Sequence, residues 1–244
     1  GETVARELAA AKQAGAQGLK IFKKLGLSVR DEHGELLRVD SERLSPMWEA
    51  AGELDLPVMM HIADPWAYFE PLTSRNERYV QLFRDPSRHF YGGDFPSVEQ
   101  VLEARDRVLA MHPRTRFIGA HIGSMGEDLM LASSVLERYP NFYVDLSARL
   151  AELGRKPRQT REFFLRYQDR ILFGTDGLDA PSMYRNHFRF LETADECFED
   201  WMYPDHGFFF ISGLSLPGDV LRKIYADNAL ALIPGLASPT TSHS

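Results

Sequence analysis

Two histidines and an aspartate, each closing a short apolar run, are the residues of this 244-residue sequence whose types and spacing could do chemistry. Pro57-Val58-Met59-Met60 runs into His61, Phe117-Ile118-Gly119-Ala120 into His121, and Ile171-Leu172-Phe173-Gly174-Thr175 into Asp176. Imidazole nitrogen and carboxylate oxygen are ligands for zinc and similar ions, and a catalytic site keeps one position open for water. Binding lowers the pKa of that water from 15.7 to about 7 and so supplies hydroxide, and a further histidine or aspartate can move a proton. A carboxylate at the end of a buried strand must be paired, hydrogen-bonded or metal-bound to offset its desolvation. Gly119 and Gly123 beside His121, and Gly174 and Gly177 beside Asp176, allow backbone and ligand to come close. Any one of these residues reads as easily as a structural side chain. Three at equivalent positions of different strands point to a metal-assisted site with His61, His121 and Asp176 as ligands, and His121 or Asp176 as the proton-moving group.

Positioning them requires a parallel sheet. A continuous apolar run predicts a strand covered on both faces, and in an α/β barrel the catalytic groups sit at the C-terminal strand ends. Strands are predicted at residues 18–22, 57–61, 116–121, 142–147 and 170–176. Helices are predicted at 3–14, from Ser45 with Pro46 in its first turn, from a Ser97 cap to about 112, at 127–139, at 160–167 and at 217–231. The order is β-α repeated about five times, which argues for a parallel sheet. Residues 26–40 read as a loop or small hairpin. Residues 64–97 form a long excursion rich in aromatics; a connection of that length is usually functional, and it reads as a pocket wall, a satellite cluster or both. Residues 1–236 are expected to form one domain, and 237–244 a disordered polar tail.

Other side chains carry two readings each. Lys20, inside the first strand, either holds a substrate anion (or, carboxylated, a metal) or reaches solvent at the strand rim. Arg149, just past the fourth strand, either clamps a substrate carboxylate bidentately or sits in a surface ion pair. Trp66 is expected on the substrate side of the excursion. Asp145 supports the site or caps a loop. His112, His187 and His206 read as structural or solvent-facing. Cys197 sits in a helical-looking segment, 193–198, and is expected as a packed thiol.

Composition bounds the rest. The net charge of −7 argues against nucleic acid as a main partner. No apolar run approaches the roughly 20 residues that cross a bilayer. A single cysteine excludes an intrachain disulfide and is compatible with a reducing compartment, so a cytoplasmic location is the expectation. The chain opens at Gly1 in a helix-like pattern with no visible signal peptide.

Together these motifs resemble the amidohydrolase superfamily, in the amidohydrolase-related branch that includes aminocarboxymuconate semialdehyde decarboxylase-like enzymes. The resemblance is carried by the His61, His121 and Asp176 runs, by Phe142-Tyr143-Val144-Asp145-Leu146-Ser147 and by residues 220–229. It implies a TIM-type (β/α)8 barrel with metal, zinc or else manganese, at its C-terminal mouth. By analogy the strands here are the fourth to the eighth. His61 would be the fifth-strand ligand, His121 the sixth-strand base or second ligand, and Asp176 the eighth-strand ligand or proton shuttle. The family opens with His-x-His, which this sequence lacks. A fragment of a longer enzyme and a partial barrel are both compatible with that. An open sheet exposes edges, so a homo-oligomer is expected. The function implied is a metal-dependent hydrolase of a small ester, lactone or amide. The alternatives are a non-oxidative decarboxylase on the same scaffold, or a catalytically silent binding or assembly module.

Overall fold

The apolar runs become one parallel sheet. In the computed structural model, which describes residues 2–177 and 180–236, helix α1 (Glu2–Gln13) leads into β1 (Leu19–Ile21). Strands β2 (Val58–Met60), β3 (Phe117–Gly119), β4 (Phe142–Asp145) and β5 (Ile171–Leu172) follow side by side in chain order. Every neighbouring pair is parallel. The register aligns Lys20, Met59, Ile118 and Tyr143 across four strands, so all the C-terminal strand ends reach one edge. The protein is thus α/β, with five parallel strands of a barrel that does not close. The tail expected at 237–244 lies outside the described residues.

The two sheet faces are unequal. Val58, Met60, Phe117, Phe142, Val144 and Ile171 belong to the main core with Trp48, Leu109, Leu136 and Phe164 from the helices. Those helices are α2 (Ser45–Glu53), α3 (Val98–Met111), α4 (Leu129–Arg138) and, beyond the short α5 (Leu150–Gly154), α6 (Pro157–Arg166). Full burial of one such side chain is worth roughly 1.5–3 kcal/mol. The other face carries Ile118 and Leu172 with Met59 and Tyr143, covered by Ala229, Leu232 and Ile233.

Caps explain the helix starts. Ser97 caps α3, as the sequence predicts, and with Gln100 completes a capping box; Asp128 caps α4 by accepting from Met130 and Leu131 N–H. Ser45 does not cap α2. A 3-10 turn over Glu42–Leu44 runs straight into the helix, so Ser45 is already helical, and its hydroxyl faces Glu49 and His112.

Residues 64–97 are tied down rather than loose. Their one helix, Tyr79–Arg84, lies between 3-10 turns at Trp66–Phe69 and Pro86–Arg88. Arg78 pairs with Glu152, Glu77 with Arg155, and Arg84 with Asp205. The segment 193–198 is not helical, contrary to expectation. Helix α7 (Pro181–Glu192) stops because Thr193 takes both ends of the turn: its hydroxyl donates to Arg189 O at 2.9 Å and accepts from Asp195 N–H at 3.2 Å. A short antiparallel pair follows, β6 (Phe198–Glu199) with β7 (Phe210–Ile211), and Cys197 is exposed, not packed. After helix α8 (Gly218–Arg222) the chain returns to the sheet edge, where Phe173 N–H donates to Ile224 O. No helix among the described residues is long and apolar enough to cross a membrane.

Candidate active site at the strand ends

Backbone strain concentrates where the strands end. His121, Ile122, Gly123 and Ser124 all have φ between 55° and 63°, a left-handed turn directly after β3. Ala148 after β4 and Asp176 after β5 are also left-handed. Such a conformation costs about 1–2 kcal/mol per non-glycine residue, and Ile122, being β-branched, is the most strained. It persists only where surroundings over-determine it, which is typical of functional sites.

Here the constraints are visible. Asp145 Oδ1 accepts from His121 N–H (2.9 Å), Ser147 N–H (3.0 Å) and Ser147 Oγ (2.6 Å). The buried Arg105 donates to Gly123 O at 2.6 Å, Ser124 Oγ to Ala63 O at 2.8 Å, and Trp66 Nε1 to Ser124 O at 2.9 Å. A Cβ on Gly123 would stand 2.9 Å from the Phe142 ring, so glycine is needed there for space as well as φ. Asp145 therefore holds the His121 turn. Burial pushes its carboxyl up, against hydrogen bonds from Ser147 and His121.

The turn presents His121 to His61. Their ring centroids are 4.4 Å apart, edge to face. His121 Nδ1 lies 2.8 Å from Ser147 O, a contact that calls for a proton on Nδ1 and leaves Nε2 as a lone-pair donor. Burial, with Arg149 and His61 adding to it, drives His121 well below the usual imidazole range, so it is neutral. His61 Nε2 is buried without a hydrogen-bond partner, with Asp64 Oδ1 3.5 Å away. Asp64 pairs with Lys23. Burial opposes its charge, but the adjoining His61 ring and the Lys23 ammonium outweigh it and hold the carboxyl at about 2.

Two imidazoles with free nitrogens, one fixed through its other nitrogen by a carbonyl, suit a divalent metal. They are a partial set. Among the described residues no three His, Cys, Asp or Glu side chains stand close enough to hold one ion together. Asp176 is exposed on the cavity rim, and its carboxylate does not join the histidines in such a cluster.

All three residues line one cavity of about 500 Å³. Lys20, exposed in the middle of β1, is on its wall, as are Phe22, Lys23 and Lys24 just beyond the strand. Arg149, also on the wall, is 4% exposed and takes part in no ion pair among the described residues. Its Nη1 donates to Ala148 O at 2.8 Å, while Nε and Nη2 are buried without partners. The excursion contributes Tyr68, Arg78, Gln81, Arg88 and Phe90. Burial pushes the Tyr68 hydroxyl up to about 12, so it is a neutral donor. Trp66 is not on the wall. Its indole is spent on the Ser124 carbonyl, and its backbone N–H on Glu127.

His206 is on the wall, although its sequence context reads as structural or solvent-facing. Burial, then Arg78 and Arg88, bring it down to about 4. Lys23, Arg78 and His206 escape sequence reading because they arrive from distant segments; only the Phe22-Lys23-Lys24 run after β1 hints at the first. His187 and His112 are structural, bonded respectively to Met183 O and facing Ser45 Oγ.

A family model described as Amidohydrolase matches residues 1–235. No curated protein matches the chain. Among solved structures, 2,6-dihydroxybenzoate decarboxylase complexed with 2,6-dihydroxybenzoate is similar over 93% of this chain and 65% of that one, at 21% identity and a TM-score of 0.53. The corresponding decarboxylase from Rhizobium gives 93%, 66%, 21% and 0.53. A dihydroxybenzoic acid decarboxylase from Polaromonas sp. JS666, with bound manganese and the inhibitor 2-nitroresorcinol, gives 93%, 64%, 19% and 0.54. At such identities the likeness is one of fold. The chain spans about 65% of the length of the first of these structures.

Proposed function

The chain belongs to the amidohydrolase family, and we propose that its cavity binds a small aromatic or unsaturated carboxylic acid and removes the carboxyl group as carbon dioxide. The observation that carries this is Arg149, a buried guanidinium on the cavity wall with Nε and Nη2 unpartnered. A buried charged donor without a partner costs several kcal/mol, and a planar carboxylate matches the fork. The wall holds six Lys and Arg against three Asp; Lys23, Arg88 and Arg78 are paired with Asp64, Asp85 and Glu152, which leaves Lys20, Lys24 and Arg149 against Asp176. A neutral ester or lactone would leave that excess unbalanced, which supports the acid over the hydrolase substrates. Tyr68, Phe22 and Phe90 suit the flat body of such an acid. The decarboxylases that share the fold support the same reading.

In non-oxidative decarboxylation the bond between the carboxyl and the carbon skeleton breaks. Its electron pair stays on that carbon, carbon dioxide leaves, and a proton takes its place. Arg149 fixes the carboxylate. Asp176, open to solvent on the rim, is the group we assign to relay the proton. His61 and His121 would hold a divalent ion, manganese or zinc, which supplies electrostatic stabilisation of charge on the substrate; at least one further donor beyond the described residues is then required. Neutral His121, locked by Ser147, keeps its lone pair toward that role.

The assay is carbon dioxide release from 2,6-dihydroxybenzoate with manganese or zinc supplied. Asp176→Asn is expected to slow release by roughly 10²- to 10⁴-fold while the acid still binds. Release of alcohol from an ester, with no carbon dioxide from the acid, would replace this reading with the hydrolase. That no third donor joins the two histidines among the described residues favours one other reading, a catalytically silent module; purified protein with neither metal nor affinity for the acid would support it. Among the described residues β1 pairs with β2 alone, and its outer edge supports the expected homo-oligomer; a monomer mass in solution would count against that.

A further inference from the structure

Behind Arg149 lies a group of charged side chains that the reaction above does not use. Gly126, next to Glu127 in the chain, packs on it: a Cβ there would stand 3.3 Å from Arg149 Cδ and 3.5 Å from Glu152 Cβ. One oxygen of Glu127 accepts from Trp66 N–H at 2.9 Å; the other, Oε2, is buried without a partner. Arg149 Nε and Nη2 and Glu152 Oε2 are likewise buried and unpartnered. The charged groups that face Glu127 are Glu152, Arg149 and Lys156, whose Nζ donates to Glu127 O at 2.6 Å. Asp128 adjoins it in the chain. Glu152 is committed to Arg78, so Glu127 is the carboxyl left to balance Arg149.

We propose that Glu127 and the substrate's carboxylate compete for Arg149, so that an anion seated on Arg149 is accompanied by uptake of a proton from solvent at Glu127. This rests on reading Arg149 as the carboxylate clamp. One guanidinium in a low-dielectric setting cannot stabilise two extra carboxylates, and the buried one escapes by becoming neutral. Burial and the Glu152 charge already push Glu127 up to about 7, with Arg149 pulling the other way. The neighbourhood is therefore balanced between the two states near neutral pH. Below that point Arg149 stands free for substrate; above it Glu127 supplies an internal counter-charge. Glu127 is a positioning residue that acts through Arg149. Asp200 and His206, which face Arg78, titrate lower, at about 6 and about 4.

The test is benzoate binding by calorimetry between pH 6.5 and 8.5, in buffers of different ionisation heat. Wild type is expected to take up protons on binding and to lose roughly tenfold in affinity across that range. Glu127→Gln should bind with a flat pH profile and buffer-independent heat. In wild type, carbon-13 resonances of the Glu127 carboxyl should show its midpoint rising when benzoate is added, a measurement independent of how the variant folds. Benzoate binding with buffer-independent heat, or an unmoved Glu127 midpoint, would overturn the competition while leaving the clamp in place. No benzoate binding at any pH would remove the clamp reading, and this inference with it.

Discussion

Arg78→Met is expected to destabilise the protein by about 3–5 kcal/mol, the usual consequence of leaving one partner of a buried ion pair uncompensated. Arg78 pairs with Glu152, a residue 74 positions away and 1% exposed. It donates to His206 O, 128 positions away, at 3.3 Å, and lies over the Phe209 ring at 4.7 Å. One side chain thus joins the 64–97 excursion, α5 and the β6–β7 pair. Its removal strands the Glu152 carboxylate and loosens three segments at once. Burial works against that carboxylate, but Arg78 and Arg149 hold it below the ordinary range. Its contribution is therefore present above the unfolded-state value and is lost as pH falls through the folded one. Urea unfolding at pH 7 measures the loss. The double variant Arg78→Met, Glu152→Leu should recover a large part of it, since no unpaired charge remains. A single variant within 1 kcal/mol of wild type would mean that the ion pair ties nothing down.

Arg149→Gln should weaken binding of a carboxylic acid by two to three orders of magnitude. Hydrogen bonds to charged groups are worth about 1.5–3 kcal/mol each, and 1.4 kcal/mol is a factor of ten. Arg149→Lys keeps the charge but not the fork and should restore only part of the loss. Urea unfolding is the control for this variant, because Arg149 also helps to hold the buried Glu152 carboxylate below its ordinary range. Equal affinity of wild type and Arg149→Gln for benzoate would place the acid elsewhere.

What the sequence discloses of this molecule is its local part. Four of the five strands are legible because each is an apolar run ended by a polar residue, the first being a shorter one interrupted by Lys20, and His61, His121 and Asp176 stand out because they end three of those runs. Ser97 announces its helix by equally local chemistry. Other features are set at long range. Apart from Gly123, nothing in Ala120-His121-Ile122-Gly123-Ser124 signals a left-handed turn, because Asp145, Arg105 and Trp66 impose it from other segments. For the same reason Trp66 reads as a pocket residue when its indole is spent on that turn. Cys197 suggested a buried helix face, yet Thr193 ends the helix first. His206 reaches the cavity only because Arg78 draws the β6–β7 connection against the excursion.

The central claim is that this cavity is built for a carboxylate, and the most direct measurement is the pair of dissociation constants for benzoate and methyl benzoate. The two share a ring and differ in the charge that Arg149 would hold. A preference of at least tenfold for benzoate, abolished by Arg149→Gln, is the predicted result. Equal affinity for the two compounds, or a preference for the ester, would contradict it.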